Sequence, residues 1–395
     1  MTDQTKSSTP AKPPFWRDPD KRALVFQGVF LLLVVVVLFT LIRNTMLNLE
    51  ARGISSGFGF LETSTGFKIA ETLIPYDESS SFFTAFLVGL LNTIKVSVIG
   101  VFLATILGFI MGVARLSKNW LVARLSAVYV DTLRNIPLLL QLFFWYFAVL
   151  RPLKNPKQAD NFFDIIFLSN RGLYGPKPIF EDGSGLILFA LIAAIVGIIV
   201  LRIWAKKRME NTGERFPVFY TSLGLIIGLP LLALIGTGFP VSWDIPELKG
   251  FNFRGGMVMT PEFSALVFAL SIYTSSFIAE IVRAGIMSVD KGQTEAAYSL
   301  GLKPSWTTRL VIIPQAMRVI IPPLTSQYLN LTKNSSLAAA IAYPDLVSIF
   351  AGTALNQTGQ AVEIMGMTLA VYLFLSLTIS SLMNWYNASK ALVER

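Results

Sequence analysis

The chain predicts an all-α polytopic membrane protein with about eight transmembrane helices, on three observations. Charged residues make up only 14% of its 395 residues and hydrophobic ones 53%, with a mean hydropathy of +0.60; about 25% charge is usual for a soluble domain. Apolar runs recur along the chain, several near the roughly 20 residues that a spanning helix needs. Polar segments carrying Lys and Arg separate them. Inside lipid each backbone donor and acceptor must be satisfied within the segment, which makes such runs helices.

The first run, Ala23 to Ile42, follows a tail (1–22) bearing Lys, Arg and Pro. No small-residue cleavage site follows it, so it reads as a retained helix and not a cleaved leader. After an outer loop over 43–81 comes Phe82 to Val113, uncharged except for Lys95, and then Leu125 to Leu150 with Asp131 and Arg134. A long middle region, 151–256, holds Gly185 to Leu201 and Phe216 to Trp243. Phe263 to Ala279, Val319 to Pro344 and Ile364 to Ser389 complete the set before a short tail at 390–395. The run from Val319 is the least regular, broken by Pro322, Pro323 and Lys333.

Eight spans put both termini on one side, and Lys and Arg placement says which. With the N-terminus cytoplasmic, 20 of the 33 basic residues fall on inner segments and 10 on outer loops, while Lys95, Arg134 and Lys333 lie inside spans. This bias predicts cytoplasmic N- and C-termini. It also accounts for the net charge of +9: the charges are spread over five inner segments, not gathered on one aromatic-rich face as nucleic-acid binding requires.

Composition excludes several chemistries. Cysteine and histidine are absent, which removes disulfides, thiolate nucleophiles, the commonest general base and most zinc sites. No G-x-x-x-x-G-K-[ST] occurs, so the chain carries no P-loop of its own. No catalytic residue, metal or cofactor is expected.

One polar stretch stands out, DKGQTEAAYSLGLKPSWTTRLVIIPQAMRVIIPPL, Asp290 to Leu324. Asp290 can cap a helix, with Gln293 three residues on to reach back. Thr294 to Leu300 then makes one to two turns. Gly301 supplies a left-handed end, and Lys303-Pro304 forbids continuation. A second helix is expected from Ser305 to Ile313, interrupted at Pro314. So short a first helix is unstable alone and needs something to pack against. Two alanines and one acidic residue fit docking into a groove of a partner.

These residues resemble a known family. Glu295-Ala296-Ala297, then Gly301 after three residues, then Val311-Ile312-Ile313-Pro314 after nine, look like the cytoplasmic EAA loop of permease subunits in bacterial ABC importers. Val311 and Ile313 replace the usual isoleucine and leucine but stay aliphatic. Ala279-Glu280-Ile281-Val282-Arg283-Ala284-Gly285, Gly292-Gln293, Lys333-Asn334-Ser335-Ser336-Leu337 and Arg134-Asn135-Ile136-Pro137-Leu138-Leu139-Leu140-Gln141 are similar to the polar amino-acid branch. The resemblance covers about Leu87 to Leu150 and Met257 to Asn387. It implies a type I permease core in two parts, 82–150 and 257–389, with a coupling loop at 290–317. The helix at 23–42, the loop at 43–81 and the region 151–256 are additions to it. Permeases enlarged in this way resemble the membrane subunits of the general L-amino-acid transport system.

The resemblance implies an inner-membrane permease that imports L-amino acids and does no covalent chemistry. Its partners would be two ATPase subunits, a periplasmic amino-acid-binding protein and a second permease in a heterodimer. Glu295, Ala296, Ala297, Tyr298, Gly301 and Leu302 would contact the ATPase; the blander reading of Glu295, a solvent-facing charge that is screened, is the less favoured given the motif around it. Glu280 has two readings, an i,i+3 ion pair with Arg283 or a lining of the translocation path. Lys333, with Asn334 and Ser335, is expected to line a wet cavity or find a carboxylate or helix end, because burial without a partner is costly. Lys95 is placed to snorkel to water, and Asp131 and Arg134 are spaced to pair. The rival class is an ion-coupled secondary transporter; no internal repeat of the kind usual there is visible, and an EAA loop has no role in it. A membrane scaffold or sensor without transport is the third reading.

Overall fold

The computed structural model of the chain describes Trp16, residues 18–51 and residues 56–390. Most of the expected tail at 1–22, with Lys6, Lys12 and Arg17, lies outside the described residues, as do Arg52 and Arg395.

Helix α1 (Pro19–Ala51) leads through an irregular segment with a 3-10 turn (Gly59–Glu62) to α2 (Phe82–Ala114), α3 (Trp120–Asn135) and α4 (Leu138–Phe143), which continues as a π-helical segment, Phe144–Leu150. Strands β1 (Asp160–Phe162), β2 (Ile166–Ser169), β3 (Gly172–Gly175) and β4 (Lys177–Phe180) precede a hairpin of α5 (Gly185–Thr212) and α6 (Val218–Gly236). Then come β5 (Val241–Asp244), β6 (Glu247–Lys249), β7 (Asn252–Arg254) and β8 (Met257–Met259), and α7 (Pro261–Met287). The chain ends with α8 (Lys291–Ser299), α9 (Pro304–Thr307), α10 (Ile313–Asn334), α11 (Leu355–Thr358) and α12 (Ala361–Lys390).

Among the described residues, six helices are long and apolar enough to cross a membrane, α1, α2, α5, α6, α7 and α12. The run Leu125 to Leu150 makes a seventh only as a broken pair, α3 and the α4 segment, bent by 106°. The eighth expected span, from Val319, falls mainly in α10, which is not apolar enough to count with them. Yet α10 runs antiparallel to α2 and α7 through the bundle: Ile320 meets Gly285 at one end, Tyr328 bonds Thr105, and Leu331 meets Gly100. Pro322 and Pro323 lie within this helix without ending it.

The strands are an addition to the all-α expectation. They are short runs between turn residues, so each is too brief to announce itself by alternation. Their pairing order β1-β2-β3-β8 joins the loop before α5 to the loop after α6, and β4 pairs with β5. The α5–α6 hairpin is thereby closed at one end by a small sheet, with Phe167 and Phe253 stacked at 4.6 Å. This sheet end is opposite the end that carries Asp290 to Met317.

Burial separates core from additions. Of the most apolar window of α7, 67% is buried inside the chain, against 0% for α1 and α6 and 6% for α5. Close approach explains the first figure. A Cβ on Gly108 of α2 would stand 2.5 Å from Ile278, and one on Gly112 would stand 2.7 Å from the Ala279 carbonyl. On the other face of α7, a Cβ on Gly285 would meet Ile320 at 2.4 Å. Small residues allow this because helices in lipid associate through packing and not through exclusion of water.

At the sheet end, Lys95 does not simply reach for water. Its ammonium pairs with Glu71 and lies 4.2 Å from the Phe263 ring centroid. The other Glu71 oxygen accepts from Thr260 at 2.9 Å, and Asn92 donates to Glu71 O and Pro344 O at 2.9 Å each. The segment before α2 is thus fastened to α2, α7 and the turn after α10. Nearby, the hydroxyl and N–H of Ser79 and the hydroxyl of Ser80 hold the Asp77 carboxyl below its usual range.

Substituting Gly112→Val should lower stability by about 1–3 kcal/mol through overpacking, read as an earlier thermal transition of the purified protein in detergent. Gly224→Ala in α6, where nothing lies within 4 Å of the added carbon, should leave that transition unchanged or slightly raised. Equal shifts for both would mean that α2 and α7 are not held at this distance.

Candidate coupling surface and transport core

Asp290 caps α8 as expected: its side chain accepts from Gly292 N at 2.6 Å. Gln293 does not reach back to close a capping box. Its Oε1 accepts from Gln315 Nε2 at 3.2 Å, tying α8 to α10. The C-terminal end is a Schellman motif, with Leu302 N donating to Ala297 O at 3.1 Å and Gly301 N to Tyr298 O at 2.9 Å. Gly301 takes φ +75° there, a conformation that costs glycine little and a residue with a Cβ much more.

The predicted coupling residues divide by exposure. Ala297 is buried at 3%, packed inside the loop, and Leu302 is half-buried. Glu295, Ala296, Tyr298 and Gly301 are exposed. Beside them Leu300, Trp306 and Leu310 also stand open, Leu300 at 82%. The second helix begins one residue earlier than expected, with Pro304 at its first position, where a missing N–H costs nothing. Pro314 does not interrupt it. A π-helical turn, Thr308–Ile312, lies directly before the proline, and the chain runs on into α10; such widened turns absorb a lost ladder bond.

Glu280 makes the i,i+3 ion pair with Arg283 that was weighed for it. Its carboxylate accepts from Arg283 Nη2 at 2.5 Å and from Arg115 Nη1 at 2.6 Å. Arg115 in turn donates to Asp131 at 3.1 Å, so one cluster joins α2, α3 and α7 at the end nearest α8. The expected Asp131–Arg134 pair does not form; Arg134 instead lies 5.1 Å from the centroid of the Phe277 ring. Arg115, three helices' meeting point, was visible in the sequence only as a basic residue after a span. Nothing local indicates its partners.

The segment Arg134 to Gln141 makes the 106° bend. Pro137 starts α4 and supplies no N–H, and the break leaves carbonyls without helical partners. Gln141, 4% exposed, answers this: its Nε2 donates to Leu133 O at 2.9 Å and Ile136 O at 3.0 Å. Tyr146 beyond it donates to Glu262 at 2.7 Å, fixing the bent arm to the start of α7.

The four residues expected along a translocation path are not gathered together. Glu280 belongs to the ionic cluster just described. Lys333 lies at mid-bundle level but is exposed, on an open cavity of about 510 Å³ between α10, the π-helical segment Val347–Ala354 and α12. Asn334 is half-buried, and Ser335 is fully buried with its hydroxyl donating to Thr332 O at 2.7 Å. Ser336, one residue on, faces the cavity instead. Two carboxylates that sequence reasoning did not single out, Glu71 and the fully buried Asp345, also hold the core together; Asp345 accepts from Ser348 N at 2.8 Å, capping the π-helical segment. Among the described residues no three acidic side chains gather as a metal site would require.

Double-mutant cycles separate the observed pairs from the expected one. Arg115→Ala with Glu280→Ala should show a coupling of about 1.5–3 kcal/mol, the range for hydrogen bonds to charged groups, in thermal or denaturant unfolding of the detergent-solubilised protein. Asp131→Ala with Arg134→Ala should be additive within about 0.5 kcal/mol. Gln141→Ala should cost about 1–3 kcal/mol by stranding two carbonyls.

With this geometry in place, relatives can be set beside it. Residues 216–392 match the family model described as binding-protein-dependent transport system inner membrane component. YhdX of Escherichia coli K12, named as an amino-acid ABC transporter permease, is 56% identical over 96% of both chains. The general L-amino acid transport system permease protein AapQ of Rhizobium johnstonii is 50% identical over 100% of both. BztB of Rhodobacter capsulatus, a glutamate/glutamine/aspartate/asparagine transport system permease, is 47% identical over 95% of both. Agreement of this extent, spanning the added helices as well as the core, shows that the chain belongs to the amino-acid ABC transporter permeases, the inner membrane components of binding-protein-dependent transport.

Proposed function

We propose that this permease imports L-amino acids of broad side-chain range from periplasm to cytoplasm, driven by two ATPase subunits that dock on α8. The observation that carries the reading is the exposed apolar face at the end opposite the sheet. Tyr298, Leu300, Trp306 and Leu310 stand open on segments whose only buried side chains are Ala297 and Thr307, and such a patch on a polar loop marks an interaction surface. Glu295 and Ala296 of the EAA run are exposed on the same short helix, while Ala297 packs inside the loop. The ion-coupled alternative finds no support in the relatives.

Two mechanical links make α8 suited to drive the core. Only Ser288 to Asp290 separate it from α7, and the helix after it runs through α9 into α10. A displacement of α8 therefore moves two helices that pack on each other. To turn a path from about 1:99 to 99:1 open, the two docked states must differ by roughly 5.5 kcal/mol in their bias on it, so the linkage has to be stiff. The Schellman end and the Gln293–Gln315 bond supply that stiffness.

The loop lies on the cytoplasmic side, as do both termini, in keeping with the two-to-one excess of basic residues on that side. The small sheet then faces the periplasm, where a binding protein delivers ligand. A second, similar permease completes the pore as a heterodimer, and lipid surrounds α1, α5 and α6. This chain catalyses no covalent step; ATP is hydrolysed by its partner.

Gly301→Pro combined with Glu295→Lys tests the docking. Proline cannot adopt φ +75°, and the charge reversal opposes a basic groove. The permease should still accumulate in the membrane, while co-purification of the ATPase and binding-protein-stimulated hydrolysis are lost. Full retention of both would show that α8 is not the docking element.

A further inference from the structure

The joint of the α5–α6 hairpin carries a basic cluster that no step of transport has used. From Arg202 to Arg215 it holds Arg202, Lys206, Lys207, Arg208 and Arg215 against Glu210 and Glu214, a net charge of +3. The two carboxylates do not cover them evenly. Glu214 takes Arg208 at 2.8 Å, and Glu210 stands 3.9 Å from Lys206. Among the described residues Arg202, Lys207 and Arg215 make no ion pair, and all three are exposed. At about 100° per residue, Arg202, Lys206 and Lys207 fall within about 140° of one another on α5, so they form one cationic face.

The depth of this face follows from helix length. The apolar run of α5 from Gly185 to Leu201 rises about 26 Å, close to the roughly 30 Å hydrocarbon core of a bilayer. Arg202 therefore stands where the hydrocarbon ends, and Lys206 and Lys207, about 6–8 Å farther along, stand among the headgroups. The aromatic residues agree with this level. Trp204 meets Phe216 across the turn at 5.2 Å, and Phe219 and Tyr220 are exposed in the first turn of α6; Trp and Tyr collect at the membrane interface. Arg208 lies 5.4 Å from the centroid of the Trp204 ring, so its charge is met within the chain. A topology signal would need only the charges, not their gathering on one face level with a ring pair. Only 6% of the most apolar window of α5 and 0% of that of α6 is buried inside the chain, so the neighbours of this hairpin come from outside it.

We propose that the α5–α6 turn is a docking site for an anionic phospholipid of the cytoplasmic leaflet, with the headgroup phosphate on Arg202, Lys206 and Lys207 and the acyl chains along the apolar helices. The choice of leaflet rests on the cytoplasmic placement read for α8; the headgroup chemistry does not. Lys and Arg both make charge-assisted bonds to phosphate oxygens, and clustered basic residues just beyond a span attract anionic lipid. A zwitterionic headgroup offers the same phosphate with a cation beside it, which a turn of net +3 disfavours. A hairpin that buries so little against its own chain gains a fixed depth from the headgroup it holds.

The test titrates the purified full-length permease in detergent with phosphatidylglycerol or phosphatidylcholine and reads bound lipid by native mass spectrometry. Phosphatidylglycerol should bind about tenfold tighter or more. Arg202→Gln with Lys207→Gln should weaken it about twentyfold, near fivefold for each basic group at an anionic surface, while Arg202→Lys with Lys207→Arg should keep the wild-type affinity. Lys118→Gln with Arg124→Gln, which removes as many charges at the α2–α3 turn, should change nothing. Equal weakening by the two neutralised pairs, or equal binding of the two lipids, overturns the site. So does displacement of the lipid by millimolar inorganic phosphate, the mark of a free-anion site. Unchanged lipid affinity with lost co-purification of the ATPase overturns it as well, and makes the turn a protein-docking surface. Asn211→Cys, in a chain with no other cysteine, should react with an impermeant maleimide only after spheroplasts are opened; labelling of intact spheroplasts would overturn the assigned leaflet, and the placement of α8 with it, whatever the lipid affinities.

Discussion

The constraint on which the rest depends is the distance between α7 and its two neighbours. Gly108 and Gly112 on α2, and Gly285 on α7 itself, leave room for no Cβ, and the contact they permit puts Ile278, Val282 and Ile320 in full burial. In lipid no hydrophobic force draws helices together, so the depth of interlocking decides how firmly they hold. Each end of the α2–α7 pair is then pinned by charge: Lys95, Glu71 and Thr260 at the sheet end, Arg115, Glu280 and Asp131 at the other. Glycine contacts set the spacing, and the ionic clusters set the register.

Against this stiff pair, the departures from regular helix fall in particular places. The bend at Pro137, the π-helical turn before Pro314 and the π-helical segment Val347–Ala354 lie around the core and outside α2 and α7. Each has its backbone accounted for locally. Gln141 covers the carbonyls at the first, and Asp345 caps the third. Broken backbone at membrane depth is tolerated where side chains re-satisfy it. Irregularity next to a rigid pair gives a path that can change shape without the pair coming apart.

What could be read from the sequence follows how local each cause is. The caps of α8 depend on residues within four positions of one another, so Asp290 and Gly301 announced them; Gln293 did not behave locally, since Gln315 outbid its own helix end. Asp131 and Arg134 show the same limit. Their i,i+3 spacing is a real opportunity worth only a few tenths of a kcal/mol, and Arg115 from another helix offers Asp131 a better partner. Pro314 was read as a break because its own chemistry demands one lost bond, yet a π turn takes up that loss without ending the helix. Glu71 lies in a loop with no pattern at all, and its meaning appears only when α2 and α7 bring Lys95 and Thr260 to it. Span counting worked where apolarity alone decides. It faltered at α10, whose polar face is what a helix needs when it lines a cavity and not lipid.

That last point separates the core from the added helices. α1, α5 and α6 are apolar on all sides and bury almost nothing against the rest of the chain, so their composition answers to lipid or to another subunit. α7 and α10 carry serines, threonines and charges that would be costly in that setting, and the serines and threonine of α7 are all buried against other helices of the chain. α10, too polar to count among the spans, links the end of the loop at Asp290 to Met317 with Lys333 at mid-bundle through one continuous helix. A displacement of the loop is carried along this one element into the middle of the bundle, with no intervening break in the chain.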